Sequence, residues 1–248
     1  MKSLTNILLM FAVFVTGASI LVIEVVGVRV LSPYYGNTIF TVSGVISVIL
    51  VALSCGYYAG GILADRLPSL RRFFGLIFAS GIVLLALFTI GKIVLPVLSS
   101  KLSIVAGPLV SALLLFLLPA LLLGMMCPYA IKLQSIYVPQ KGIGSVAGSI
   151  FFWSTLGSIA GSLCAGFVLI PHLGIDRIFV ATGLVLSTLG LTPLLFLGLK
   201  KRSLSQFLLA WLLALGAASF TIGRENRKIL YKQDAVYQQI TIYVSDGY

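Results

Sequence analysis

Long apolar runs dominate this chain, and short polar or basic stretches separate them. A helix needs roughly 20 apolar residues to cross the hydrocarbon core of a bilayer. Seven runs reach or approach that length, at residues 4–31, 38–63, 73–96, 103–127, 143–170, 177–199 and 204–222. The pattern therefore predicts an all-α integral membrane protein, a bundle of about seven transmembrane helices.

The pattern changes after Gly223, because residues 224–248 are charged and polar. Positions then alternate from Val236 to Val244, which predicts a β-strand, and the Ser-Asp-Gly sequence that follows predicts a turn. A single strand does not fold alone. We therefore divide the chain into a transmembrane helical domain, 1–223, and a polar tail, 224–248. We expect the strand at 236–244 to begin a soluble domain and to pair with the rest of it, whether that follows in the chain or is a separate subunit.

Composition supports the membrane assignment. The chain is 59% hydrophobic and 9% charged, and its mean hydropathy is +1.13, whereas a soluble domain carries about 25% charged residues. The net charge of +11 comes mainly from residues between the apolar runs, where they meet anionic lipid headgroups. The expected partner is thus the lipid bilayer, and no nucleic-acid partner is expected.

Basic residues also indicate an orientation, because short cytoplasmic loops are enriched in Lys and Arg. A cytoplasmic N-terminus places most of them on the cytoplasmic side, and the opposite loops then hold only Lys101 and Arg177, with Lys92 near a helix end. We therefore expect a prokaryotic cell membrane protein with its N-terminus inside. The basic tail argues instead for a cytoplasmic C-terminus, which conflicts with seven spans. The cytoplasmic set would be Arg66, Arg71, Arg72, Lys132, Lys141, Lys200, Lys201 and Arg202.

Two charged residues, Glu24 and Arg29, lie in the first apolar run, where a charge is costly unless it is paired or hydrated. Five positions apart, they point about 140° apart on a helix, so each should meet a different helix or a water-filled cavity. The functional interpretation is a polar site for a small amine or a zwitterion. The structural alternative is a polar contact between helices, with Arg29 reaching the interface.

The fifth apolar run carries a long surface of small residues, which lets helix backbones approach closely. Packing alone explains such a surface. A second interpretation is that this helix lines a substrate path faced by Trp153, Ser154 and Thr155. The surface consists of Gly144, Gly148, Gly157, Ser158, Gly161, Ser162, Ala165 and Gly166.

The second apolar run ends in Gly-Ile-Leu-Ala-Asp-Arg, after Gly56 and Gly60 at a spacing that permits close helix approach. Asp65, Arg66, Arg71 and Arg72 are the predicted cytoplasmic loop charges. The ending resembles the loop between the second and third helices of major facilitator transporters, where Asp and Arg form a charge relay. The alternative is that Asp65 caps the helix and Arg66 marks the cytoplasmic side.

No residue pattern in this chain predicts catalysis or metal binding. The three cysteines, Cys55, Cys127 and Cys164, lie in apolar runs without metal-ligand spacing, and His172 has no acidic or thiol partner nearby in sequence. Asp176 is predicted to cap the next helix. Neither a nucleophile motif nor a Gly-rich phosphate loop is present.

Four segments together resemble membrane-embedded spermidine synthase-like proteins. The first, ILVIEVVGVRVLSPYYGNT at 20–38, places Glu24 and Arg29 as in that family. The second is GYYAGGILADR at 56–66, and the third is GSIAGSLCAGFVLIPHLG at 157–174. The fourth, VYQQI at 236–240, resembles the strand that opens the aminopropyltransferase region. Phe152-Trp-Ser-Thr stands where the family usually has Tyr-Ala-x-Asn.

The resemblance implies a transporter-like membrane domain that anchors an aminopropyltransferase domain. Such a domain binds decarboxylated S-adenosylmethionine and uses an acidic residue to activate the acceptor amine. None of those catalytic residues lies within this chain, so any enzymatic activity depends on a further domain or subunit. The alternatives are a bundle that transports a small amine or metabolite, with Glu24 as its buried anion, and a membrane scaffold subunit of a larger complex.

Overall fold

The computed structural model describes residues 2–139 and 142–196, together with 211–212, 216, 229–234 and 239–243. Between residues 2 and 196 it is helical except for short turns. The helices are α1 (Lys2–Tyr35), α2 (Ile39–Arg66), α3 (Leu70–Lys101), α4 (Ala106–Gly124), α5 (Met126–Tyr137), α6 (Ile143–Leu163), α7 (Ile170–Leu173) and α8 (Ile175–Phe196). A π-helical turn, Cys164–Leu169, joins α6 to α7, and we call it the π-turn.

Six helical segments of the described chain are long and apolar enough to cross a membrane, which fits the predicted all-α membrane bundle. Two of them are composite: α4 and α5 form one span, and α6, the π-turn and α7 form another. The prediction that the fourth run ends at 127 is wrong, because helix α5 continues to Tyr137. Its buried side chains, among them Ala130, Leu133 and Gln134, recur at helical spacing against the rest of the bundle.

The seventh predicted span, 204–222, lies almost wholly outside the described residues. One hydrogen bond places Trp211 against α8, since the indole Nε1 of this residue donates to Ser187 Oγ at 3.0 Å. In the tail, β1 (Ile229–Asp234) pairs antiparallel with β2 (Gln239–Tyr243). Residues 235–238 and 244–248 are outside the described set. The interpretation that the tail begins a soluble domain therefore stays a prediction.

Helix α1 runs through the centre of the bundle and contacts α2, α3, α4, α5, α6 and α8. Three close helix pairs build the rest: α1 with α6, α2 with the α4–α5 span, and α3 with α8. The order in which contacting residues follow one another along two helices shows whether the helices are parallel or antiparallel. Gly157 meets Phe14 and Gly161 meets Ala18, so α1 and α6 run parallel. In contrast, Gly81 meets Ser187 and Gly190 meets Phe78, so α3 and α8 run antiparallel.

All three pairs depend on glycines that let two backbones touch. A methyl group at Gly157 would overlap the carbonyl oxygen of Phe14, and one at Gly56 would overlap that of Leu121. Close approach of this kind lets helices associate in lipid, where the hydrophobic effect does not drive them together. The predicted packing role of Gly56 and Gly60 is confirmed, since both lie against the α4–α5 span.

The glycine contacts between α1 and α6 have the same spacing and order as those between the α4–α5 span and α2. Each contact between α1 and α6 has a counterpart between the α4–α5 span and α2. The first and fourth spans cross the bundle in opposite directions, so the two sets form an inverted repeat of the kind known in transporters. The counterparts are Gly17–Ser154 with Gly124–Leu53, Phe14–Gly157 with Leu121–Gly56, and Ala18–Gly161 with Met125–Gly60.

Candidate functional site

Glu24 lies on α1 between the contact of this helix with α6 and its contact with α4. Two helical turns before Glu24, Gly17 contacts Ser154 of α6. One turn after Glu24, Gly27 contacts Phe116 of α4. Helix α6 packs on α5, but it makes at most marginal contact with α4. The Glu24 side chain is partly exposed. Among the described residues it has no hydrogen bond or ion pair.

One hydroxyl of α6 bonds directly to the backbone of α1. Ser158 Oγ donates a 3.1 Å hydrogen bond to the carbonyl oxygen of Gly17, which identifies the side of α6 that faces α1. Ser162 follows four residues later and therefore lies near the same side. Gly166 lies in the π-turn, is exposed, and has no atom within 4 Å of the place a methyl group would occupy. No hydrogen bond of the Ser162 hydroxyl is found within the described part of the chain. Part of the predicted small-residue surface thus faces α1.

Only part of the small-residue surface of α6 is packed against another helix. Gly157, Gly161 and Ala165 are buried, and both glycines contact α1 directly. Gly144 and Gly148 have no atom within 4 Å of the place a methyl group would occupy. The packing interpretation therefore holds for one side of this helix and not for its whole surface.

Trp153 and Ser154 lie where α6 meets α1, whereas Thr155 is exposed. The Trp153 ring packs edge-on against Phe14 at 6.4 Å. Ser154 Oγ accepts a 3.4 Å hydrogen bond from the buried Cys127 thiol of α5. Ser154 is thus about two turns of α1 from Glu24 and Trp153 about three, so the structure does not bring the predicted intramembrane residues into one cluster.

Arg29 is partly buried in α1 and has contacts of its own. Arg29 does not pair with Glu24, and this agrees with the angle of about 140° between their positions on the helix. The two charges that the sequence singled out in the first span therefore belong to different sides of the helix.

The predicted loop charges lie in helices rather than in a loop. Asp65 and Arg66 end α2, and Arg71 and Arg72 lie in the first turn of α3, so only residues 67–69 connect the two helices. Helix continues to Arg66 because the backbone amide of Leu67 still bonds the Leu63 carbonyl at 3.0 Å. Asp65 does not cap a helix: its carboxylate forms a 2.8 Å ion pair with Lys132 of α5.

A second ion pair, Lys92–Asp176 at 2.8 Å, lies near the opposite end of the bundle. Its side chains are 27% and 17% exposed, against 38% and 70% for Lys132 and Asp65, so it is the better shielded pair. The Lys92 ammonium also lies 5.4 Å from the centre of the Phe88 ring. The prediction that Asp176 caps α8 is wrong, because Asp176 lies within the first turn and pairs with α3.

Four features of the structure were not predicted from the sequence. They are the two ion pairs, the π-turn, and a buried amide contact in which Gln134 Nε2 donates to Asn6 Oδ1 at 2.7 Å. Only the π-turn had a local signal, since Pro171 removes a backbone donor near the end of a span. The other contacts join residues far apart in sequence.

On the other side of α1, toward α8, a narrow crevice is almost wholly apolar, and its one hydroxyl, Thr182, already bonds the Ile178 carbonyl at 2.8 Å. In the described ranges no three His, Cys, Asp or Glu residues are grouped closely enough to hold a metal ion. Comparisons with protein-family models, curated proteins and solved structures found no match to this chain. The site is therefore interpreted from its own geometry.

Proposed function

We propose that this chain is the membrane domain of a spermidine synthase-like protein, and that it holds an aminopropyltransferase-type domain at the bilayer. The observation that carries the proposal is the sequence of the chain itself. Four motifs across its length resemble that family, and an apolar bundle is followed by a polar tail. The antiparallel pairing of β1 and β2 supports it, since a two-stranded ribbon is only marginally stable without further strands or a helix to cover it.

The proposal is tested on the native polypeptide in its own membrane. Intact mass establishes where the polypeptide ends, and detergent-purified protein is assayed for transfer of an aminopropyl group from decarboxylated S-adenosylmethionine to a diamine. We expect activity that sediments with membranes and becomes soluble, or is lost, when residues 224–248 are replaced by a Gly-Ser segment of equal length. A purified protein that ends at Tyr248, binds no catalytic subunit and shows no transfer would refute the proposal.

A second candidate function is transport of a small amine or related metabolite. The inverted repeat of helix contacts favours it, because transporters built from such repeats bind substrate near the repeat interface. Glu24, which lies between α4 and α6, is the anion that this function would use. Uptake of a labelled diamine into proteoliposomes should be saturable and should be lost in Glu24→Gln. Uptake no greater than that of protein-free liposomes would eliminate this function, and equal saturable uptake in both proteins would eliminate the role of Glu24.

A further inference from the structure

Trp211 lies against the middle of α8. Its indole Nε1 donates a 3.0 Å hydrogen bond to Ser187 Oγ, and Ser187 is fully buried, with its backbone against Gly81 of α3. The Ser187 hydroxyl donates its own hydrogen to the Leu184 carbonyl at 3.1 Å, so its oxygen accepts the indole hydrogen. The contact is therefore a complete donor–acceptor pair between residues that are 24 positions apart in the chain.

The chain reverses its direction between these two residues. A continuous helix over 24 residues would separate Ser187 from Trp211 by about 36 Å, whereas their side chains are hydrogen-bonded. The described part of α8 ends at Phe196, and Trp211, Leu212 and Gly216 are again helical. The reversal therefore lies between residues 196 and 211.

The two bonded residues are equally far from residue 199, because each lies 12 positions from it. Two antiparallel helices joined by a short connection pair residues in this way, at equal distances from the connection. The basic sequence Lys200-Lys201-Arg202 follows residue 199 directly. Basic residues of this kind lie in short loops at the membrane surface, which agrees with a reversal at this point.

The contact lies at half the depth of a span. Ser187 is near the middle of α8, and Trp211 is near the middle of the apolar run 204–222. That run has 19 residues, which as a helix measure about 28 Å, close to the hydrocarbon core of about 30 Å. A helix lying along the membrane surface would place its tryptophan at the interface. A buried indole N–H needs an acceptor, and Ser187 provides one.

Two contacts identify the ends of the bundle. The Gln134 amide of α5 bonds Asn6 in the second turn of α1, which marks the N-terminal end. The ion pair of Lys92 and Asp176 marks the opposite end, where α8 begins. Helix α8 therefore runs back toward the N-terminal end, and a helix antiparallel to it runs away from that end.

We propose that residues 204–222 form a seventh span, which packs antiparallel on α8 with Trp211 on Ser187. The same register places Ile222 level with Asp176, so the polar tail leaves the membrane at the end opposite the N-terminus. The soluble domain predicted to begin in the tail lies at that end as well. The proposal does not rest on the proposed function, because the crossing is independent of what the tail binds.

Labelling of introduced cysteines with a membrane-impermeant maleimide tests the side of the tail. In the full chain, Ser69→Cys and Ser100→Cys mark the two ends of α3, and Ser245→Cys marks the tail. The parent protein, whose three cysteines lie in apolar runs, gives the background. In sealed vesicles we expect Ser245→Cys to react under the same conditions as Ser100→Cys and not under those of Ser69→Cys. Labelling of the tail together with Ser69→Cys, or equally from both sides, would overturn the proposal.

A cross-link tests the direction of packing. Leu184 and Ala214 each lie three residues from the contact, near the same helix faces as Ser187 and Trp211. The antiparallel register brings Leu184→Cys beside Ala214→Cys, whereas a parallel approach would bring it beside Leu208→Cys. We expect mild oxidation to form a disulfide in the first double variant and not in the second, as measured by the loss of free thiols. The proposal fails if the first pair does not cross-link, or if the second pair cross-links equally well.

Discussion

The pair formed by α1 and α6 and the pair formed by α2 and the α4–α5 span use the same backbone packing but differ in charge. Each has glycines at equivalent positions against equivalent partners. One pair ends in the ion pair Asp65–Lys132, and the other contains Glu24 beside a π-turn. The shared glycines explain assembly. The difference is the reason that Glu24 is the candidate site residue, because an unpartnered carboxylate inside a membrane bundle is costly and helix packing does not require it.

The largest expected effect concerns the shared packing. Gly157→Ala and Gly56→Ala should each destabilise the bundle by about 1–3 kcal/mol, since the added methyl group overlaps a backbone carbonyl and forces two helices apart. Steric trapping in bicelles measures the change in the free energy of unfolding.

Matched controls for these variants lie on the same two helices. Gly148→Ala in α6 and Gly61→Ala in α2 add the methyl group where no other atom lies within 4 Å. They should be neutral or slightly stabilising, because Ala favours helix more than Gly. Equal losses at contact and open glycines would refute the packing role and the inverted repeat drawn from it.

A smaller effect is expected at the shielded ion pair. Asp176→Asn should reduce the free energy of unfolding by about 1–3 kcal/mol, as for other hydrogen bonds to a charged group. It removes the charge that faces Lys92 at 2.8 Å while keeping the size of the side chain. Lys92→Met should cost a similar amount, and the double variant should cost less than the sum of the two single changes. Additive losses would show that these residues do not interact.

The smallest effect is expected at the exposed ion pair. Asp65→Asn should change the free energy of unfolding by less than about 1 kcal/mol, because water screens exposed pairs; Asp65 is 70% exposed. Raised salt should remove most of that difference, whereas it should leave most of the Asp176→Asn effect in place. A loss at Asp65 as large as that at Asp176 would contradict the ranking by exposure.

Hydropathy correctly located the first six spans to within several residues at most boundaries, because the length and apolarity of a transmembrane helix are local properties of the chain. It failed at the end of the fourth span. Lys132 and Gln134 made the segment after residue 127 resemble a polar loop. In the structure, Gln134 is buried in the bundle and its amide donates a hydrogen bond to Asn6. One-dimensional hydropathy does not recognise a polar side chain whose partner lies on another helix.

The candidate site was predicted only in part. Glu24 was singled out because a charge in an apolar run is costly, and that argument needs no structure. Ser162 belonged to the predicted small-residue surface, whose side facing α1 became visible only from the contact between Ser158 and Gly17. Trp153, Ser154 and Thr155 were predicted to lie with Glu24, but adjacent residues on a helix point in different directions and pack against different neighbours.

Composition and hydrophobic pattern by themselves determine that this is a helical membrane protein with a polar tail, since both depend only on which residues neighbour one another in the chain. The tertiary structure decided which helices touch, that their glycine contacts repeat, and that Asp65 has a cation while Glu24 has none in the described bundle. Pairing of this kind depends on distances between residues far apart in sequence. Those distances are set by helix packing, so hydropathy cannot supply them.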